Sequence, residues 1–218
     1  ALTHPPVLSG DQQIVRKAIQ QQLKGEPPRL PNLLVGVTGS GKTEIYLRAT
    51  ADALEAGKGV FILVPEISLT PQTVKRFFAR FPGKVGLIHS KLSPGERYDT
   101  WRRIRAGLLP IVIGPRSALF SPLPDPGLIV IDEAHDASYR QEDAQPRYHS
   151  FSTALAISRI TGACLLLGSA TPGVETLYRF NQNKWPVHRL PNRILAHAHW
   201  EGVEPPAVQP HFTDLPQV

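Results

Sequence analysis

The sequence predicts an α/β fold: a three-layer αβα sandwich around a mainly parallel sheet. Two observations carry this. Short apolar runs alternate with stretches of helical spacing along most of the chain. A glycine-rich phosphate-loop pattern stands between the first apolar run and the helix that follows it. Strands are read at Leu33 to Val37, Val60 to Val64, Val85 to Ile88, Ile111 to Ile113, Leu128 to Ile131 and Ala163 to Leu167. Their continuous apolarity is what a strand covered on both faces requires. Helices are read between them, at Lys42 to Glu55, Thr70 to Phe81, Gly95 to Ala106, Ser150 to Ile160 and Gly173 to Asn181. Strand, crossover helix and strand in repetition make the parallel sheet.

An opening helix from Asp11 to Leu23 is expected to start at a Ser9 cap and to present Ile14, Ala18, Ile19 and Leu23 on one face. The proline-rich link from Glu26 to Pro31 separates it from the sheet. After Leu190 the periodicity fades, and Pro191, Pro205, Pro206, Pro210 and Pro216 mark a tail or severed linker. The division expected is a nucleotide-binding lobe over residues 1–190 and a proline-rich tail over 191–218.

Composition bounds the function. The chain has 218 residues, 41% hydrophobic and 19% charged, enough for one large core. No apolar run approaches the roughly 20 residues that cross a bilayer, so a membrane span is excluded. No basic segment followed by an apolar run opens the chain. The start at Ala1 and the absence of methionine point to an excised fragment. Lys and Arg number 24 against 18 Asp and Glu, a net charge of +6, which favours an anionic partner such as nucleic acid. Cys164 is the lone cysteine, which leaves no disulfide and no cysteine zinc site in this chain and fits a reducing cytoplasm. Inside an apolar run, it reads as a small core residue.

Gly36 to Thr43 reads GVTGSGKT, the phosphate-loop spacing, after a predicted strand and before a predicted helix. Gly36, Gly39, Ser40 and Gly41 let backbone N–H groups close around phosphate. Lys42 supplies charge to the β and γ phosphates and Thr43 a hydroxyl to magnesium. The N-terminus of the helix, which includes Glu44, adds its dipole. The strand from Leu128 to Ile131 ends in Asp132-Glu133-Ala134-His135, two carboxylates at the edge where parallel sheets bind ligands. Asp132 is placed to hold magnesium and Glu133 to orient and deprotonate the attacking water. His135 is a candidate for coupling this site to its neighbours.

With Asp132-Glu133-Ala134-His135 followed by Gly168-Ser169-Ala170-Thr171-Pro172, the chain resembles the DEAH-type helicases of superfamily 2. The resemblance narrows to the PriA family of replication-restart helicases. It rests on Val64 to Gln72, His89-Ser90, Gly114 to Phe120, Tyr139 to Asp143 and Arg147-Tyr148-His149, and extends over Leu8 to Leu190. Ala134 stands where such relatives more often carry an acidic residue, while Asp132 and Glu133 are intact.

The resemblance implies a RecA-like P-loop NTPase lobe using ATP and Mg²⁺. It further implies unwinding of DNA with 3′ to 5′ polarity, with single-stranded and forked DNA, primosome proteins and single-strand-binding proteins as partners in a bacterial, nucleoid-associated setting. It implies that Gln12, with Gln13 as its neighbouring alternative, reads adenine, since an amide offers both donor and acceptor. Thr70, Arg116 and Ser117 are implied DNA phosphate contacts, Arg147 and Tyr148 belong to an aromatic-rich DNA loop, and Ser169 and Thr171 join His135 in coupling. A second helicase lobe with arginine fingers, and a cysteine-rich zinc module, are expected outside these residues. The chain alone is therefore expected to hydrolyse ATP slowly. A duplex translocase and a nucleotide-gated scaffold remain as alternative readings of the same motifs.

Overall fold

A computed structural model describes residues 6–25, 29–65, 71–142 and 145–193. The first helix shows how local chemistry sets its boundary. The Ser9 side chain accepts from the backbone of Gln12, and the Gln12 side chain reaches back to the Ser9 N–H, a reciprocal cap that opens α1 (Gly10–Lys24). The buried face of α1 is Gln12, Val15 and Ile19, with Leu23 packed beside them. Ile14, expected on that face, is 69% exposed. The face is decided by which turn of the helix meets the sheet, and both Val15 and Ile14 are apolar enough to have served.

All six expected strands form. β1 (Asn32–Gly36), β2 (Gly59–Leu63), β3 (Val85–Leu87), β4 (Ile111–Gly114), β5 (Pro126–Ile131) and β8 (Cys164–Ser169) alternate with α2 (Lys42–Glu55), α3 (Pro71–Arg80), α4 (Pro94–Arg105) and α5 (Ser150–Thr161). The last helix, α6 (Val174–Gln182), leads into β9 (Val187–Leu190). The seven strands lie in the order β3-β4-β2-β5-β8-β1-β9, and every described pairing in this sheet is parallel. β9 was hidden in the sequence because only its Leu190 is buried, so Val-His-Arg-Leu carries no strand period. A second, antiparallel pair joins β6 (Arg140–Gln141) to β7 (Tyr148–His149), too short to leave a pattern.

Successive side chains of each strand point to opposite faces, which builds two cores. On one face Leu34, Val60, Ile62, Ile113, Val130 and Leu166 meet Val15 and Ile19 of α1, Ile45 and Ala49 of α2 and Phe77 of α3. On the other, Leu33, Phe61, Leu63, Ile129, Ile131 and Leu165 meet Ile104 of α4, Phe151 and Ala154 of α5 and Phe180 of α6. Cys164 lies in the first core, where burial pushes its thiol up to about 12. Among the described residues no helix is long and apolar enough to cross a membrane.

Candidate functional site

The strand order sets the geometry. β8 lies between β1 and β5, so the phosphate loop after β1 and the acidic segment after β5 flank one short strand end. The loop turns through Gly39 and Gly41, at φ of 83° and 84°, a left-handed conformation that a Cβ disfavours. Gly41 is the N-cap of α2 and contributes no side-chain cap, leaving the positive end of that helix free to serve a ligand. Lys42 is buried, and its Nζ donates to the Gly36 carbonyl at 2.7 Å and stands 3.9 Å from Glu133 Oε1. The basic and acidic motifs therefore reach a common point. Thr43, the next residue of α2, is half-buried at the same helix end.

Asp132 is held from several sides. The Tyr46 hydroxyl donates to its Oδ1 at 2.9 Å, the Glu133 N–H donates to the same oxygen at 3.0 Å, and the Tyr139 hydroxyl donates to its backbone carbonyl at 2.6 Å. Burial first, and the neighbouring Glu133 second, push the Asp132 carboxyl above the usual carboxylate range, while the Tyr46 hydrogen bond, the Glu133 N–H and Lys42 pull it down. The two tyrosine hydroxyls are pushed well up, mainly by burial and then by Asp132. The Asp132 and Glu133 carboxylates offer hard oxygen donors of the kind a divalent cation prefers. Glu133 sits at φ 46°, a strained backbone for a residue with a side chain. Hydrogen bonds on both sides hold it there: Asp132 N–H donates to Leu63 at 2.9 Å and Ala134 N–H to Gly168 at 2.8 Å.

Tyr46 reaches Asp132 across the end of β8, and this is possible because position 168 is glycine. A Cβ there would overlap the Tyr46 hydroxyl and come within 3.4 Å of Asp132 Oδ1. Sequence reasoning missed Tyr46, and it read Gly168 and Tyr139 only as members of their motifs, not as neighbours of Asp132. The available signal was a tyrosine on the core-facing stripe of α2, whose hydroxyl needs a partner once buried.

The third motif closes the same edge. His135 Nδ1 lies 2.9 Å from Ser169 Oγ and 3.6 Å from Glu133 Oε2, and the Thr171 N–H donates to Ser169 Oγ at 3.1 Å. Gln12 is buried beneath the phosphate loop, where its Nε2 donates to the Ser40 carbonyl at 3.2 Å and its Oε1 accepts from Ser9 N–H at 3.0 Å. Ser40 is itself buried. Gln13 is exposed and donates to the Leu8 carbonyl at 3.0 Å. Glu44 turns away from the loop to Arg48, at 2.8 Å, and Arg80 of α3, at 3.3 Å.

On the β4 side, the 3₁₀ turn Arg116–Phe120 follows the strand. Arg116 donates to the Ser138 carbonyl at 2.7 Å and the Arg140 carbonyl at 2.9 Å, which ties this turn to the aromatic-rich segment. Tyr148 packs edge-on against Phe120, with ring centroids 5.2 Å apart, and Ser117 and Arg147 are exposed. Arg140 pairs with Glu175 at the start of α6, at 3.2 Å, so the segment also touches the helix after the Ser-Ala-Thr motif. Thr70 lies outside the described residues.

A phosphate loop and an acidic strand end converging on a parallel sheet define the class: a P-loop nucleotide-binding protein with a RecA-like α/β fold. The chain belongs to the DEAD/DEAH box helicase family, whose model matches residues 11–180. Membership implies ATP and a divalent metal ion. Among curated relatives, the replication restart protein PriA of Chlamydia pneumoniae is 49% identical over 165 residues, covering 76% of this chain and 22% of that protein. The replication restart protein PriA of Bacillus subtilis is 43% identical over 192 residues, covering 88% of this chain and 24% of that protein. The chain thus spans less than a quarter of the length of these relatives. Two solved structures share the fold. RecG bound to a three-way DNA junction matches with a TM-score of 0.63 and 22% identity, over 89% of this chain and 25% of that one. The helicase domain of Hef from Pyrococcus furiosus matches with a TM-score of 0.59 and 21% identity, over 83% of this chain and 37% of that one.

Proposed function

We propose that this chain is the ATP-binding motor lobe of an ATP-dependent 3′ to 5′ DNA helicase acting in replication fork restart and primosome assembly. The observation that carries the reading is the approach of Lys42 to within 3.9 Å of Glu133, which brings two motifs far apart in the sequence to a common point. Lys42 binds the β and γ phosphates, and Gly36, Gly39, Ser40 and Gly41 wrap them with the loop backbone. Gln12, held against Ser40, reads adenine by exchanging one of its two internal bonds for the base edge. Thr43 and Asp132 hold Mg²⁺, which supplies charge neutralisation at the phosphates when bound. Glu133 orients the attacking water and accepts its proton.

His135, Ser169 and Thr171 form a hydrogen-bonded chain leading from Glu133 toward α6, a route by which the nucleotide state reaches the DNA-facing segments. Thr70, Arg116 and Ser117 take the backbone of single-stranded DNA, while Arg147 and Tyr148 grip unpaired bases. A second lobe in the longer protein completes the ATP site with arginine fingers, so residues 1–190 act as half of a motor and 191–218 begin the connection onward. Residues 194–218 lie outside the described residues. Primosome and single-strand-binding proteins are the partners proposed for the longer protein, in the bacterial cytoplasm at the nucleoid.

The test is the ATPase rate with and without single-stranded DNA, on this chain and on a protein carrying both lobes. A slow rate in the single lobe and DNA-stimulated turnover in the two-lobe protein are expected, since charge stabilisation from a second lobe is worth about 10³ to 10⁵ in rate. Equal rates in both, indifferent to DNA, would refute the assignment.

A further inference from the structure

Helix α4 is unusual in how little of it touches the rest of the molecule. Over Pro94–Arg105 only Ile104 is buried, although the helix carries Tyr98 and Trp101. Its start is firmly made: Ser93 accepts from the Glu96 N–H, and Glu96 accepts from the Ser93 N–H at 2.9 Å. Glu96 is thereby committed to the cap. The face it leaves to solvent combines two aromatic rings with Arg97, Arg102, Arg103 and Arg105. Tyr98 is 61% exposed with the Arg102 guanidinium 5.7 Å from its ring centroid, and Trp101 is 37% exposed with that of Arg105 at 5.5 Å.

This face is continuous with the turn after β4. Arg97 and Trp101 line a groove of about 400 Å³ together with Arg116, Ser117 and the 58%-exposed Phe120. The same two residues line a second groove, about 550 Å³, with Leu92, Pro94 and Tyr98. Arg97 and Trp101 thus join the two grooves into one surface running from the β4 turn onto α4.

We infer that this surface is a single-stranded DNA contact, in which Trp101 stacks on an unpaired base and Arg97 neutralises an adjacent phosphate. The inference rests on the DNA-motor reading above and extends its track beyond the motif residues. Charge selects the occupant. Four arginines against a capped Glu96 and Asp99 favour a polyanion, and arginines interleaved with exposed rings suit a strand whose bases offer a face whatever their identity.

The experiment uses oligo-dT and the chain itself, with tryptophan emission and the anisotropy of a labelled oligonucleotide as readouts. Of the other two tryptophans, Trp185 packs against Phe151 and Phe180 and Trp200 lies outside the described residues, so the readout is the difference between wild type and Trp101→Phe. Wild type is expected to lose emission on binding, and Trp101→Phe to lose most of that change. Trp101→Ala and Arg97→Ala are each expected to weaken binding about fivefold or more, Arg97→Ala also lowering the salt dependence by about one phosphate contact. Arg97 is exposed, so Arg97→Ala should melt as wild type, and Trp101→Phe, which keeps an aromatic ring in the place of the 37%-exposed Trp101, controls for packing lost in Trp101→Ala.

Ser117→Asp, which sets a carboxylate against the backbone track, separates the two failures. If it weakens binding while Trp101→Ala and Arg97→Ala bind as wild type, the motor reading stands and the α4 surface serves another part of the longer protein. If wild type itself fails to bind oligo-dT, both readings fall together.

Discussion

Two regions of one sheet edge are built on opposite plans. Around the ends of β1, β8 and β5, nearly every functional group is tied to another: Lys42 to Gly36 and Glu133, Asp132 to Tyr46 and Glu133, His135 to Ser169. Around β4 and α4, the rings of Phe120, Tyr98 and Trp101 stand partly in solvent, and Ser117 and Arg147 are exposed. Phosphoryl chemistry gains from groups fixed before the substrate arrives, because reorganisation would have to be supplied during the reaction. A track along which a strand slides gains from repeated, sequence-tolerant contacts that no single position dominates. The contrast implies that single substitutions should be severe on the first side and graded on the second.

Lys42→Ala should have the largest effect. It removes the phosphate charge from a site with no other described lysine or arginine paired to Glu133, and a loss of about 10² or more in turnover is expected in a two-lobe protein. A steady-state ATPase assay checks this, and a loss below tenfold would place the site elsewhere.

Gly168→Ala comes next and tests how tightly the first region is built. Its methyl group overlaps the Tyr46 hydroxyl, so a destabilisation of about 1 to 3 kcal/mol is expected in chemical denaturation. Tyr46→Phe should cost about 1 kcal/mol by removing the hydrogen bond to Asp132, and should raise the Mg²⁺ concentration needed for nucleotide binding. Combined, the two should cost less than their sum, because phenylalanine has no hydroxyl for the new methyl group to meet. Strict additivity would mean that Tyr46 does not pass over residue 168.

On the second side, Tyr148→Ala should leave the DNA-free ATPase rate of a two-lobe protein unchanged. It should reduce DNA-stimulated turnover at subsaturating DNA by the loss of about 1 kcal/mol of stacking. An unaltered response to DNA would remove Tyr148 from the track.

The smallest effect expected is on pH dependence. His149 caps α5 by accepting the Phe151 N–H on Nδ1 at 3.1 Å, which only the unprotonated nitrogen can do. Burial first, then Arg140, holds its pKa below the usual histidine value, with Glu175 opposing. A depressed histidine means the unfolded chain takes up the proton more readily. The cap's contribution, about 1 kcal/mol or less, is therefore complete above pH of about 6.5 and is lost as pH falls below it. Thermal melts at pH 7.5 and 5.5 should show this difference. His149→Asn, which caps without titrating, should reduce it.

The second region was also less legible in the sequence. The phosphate loop and the Asp-Glu pair could be read because their chemistry demands particular residue types next to particular elements, and most of the six expected strands because burial on both faces makes them apolar. Arg116 was legible as a cation but not as the group that holds Ser138 and Arg140, since those partners lie 22 and 24 residues away. Gln12 was visible as an amide, while its attachment to Ser40 across 28 residues was not. α4 was predicted as a helix, yet its spacing gave no warning that Ile104 alone would be buried.

What the amino-acid order determined by itself was local: caps, the glycine turn, strand apolarity and the alternation that makes the sheet parallel. Tertiary structure alone decided which face of α1 enters the core, that Val-His-Arg-Leu becomes an edge strand, and that Tyr46 crosses a glycine to reach Asp132. The physical reason is that periodicity and turn chemistry act within a few residues. Such choices depend on strand order, which places β8 between β1 and β5 and brings residues 46, 132 and 168 into contact.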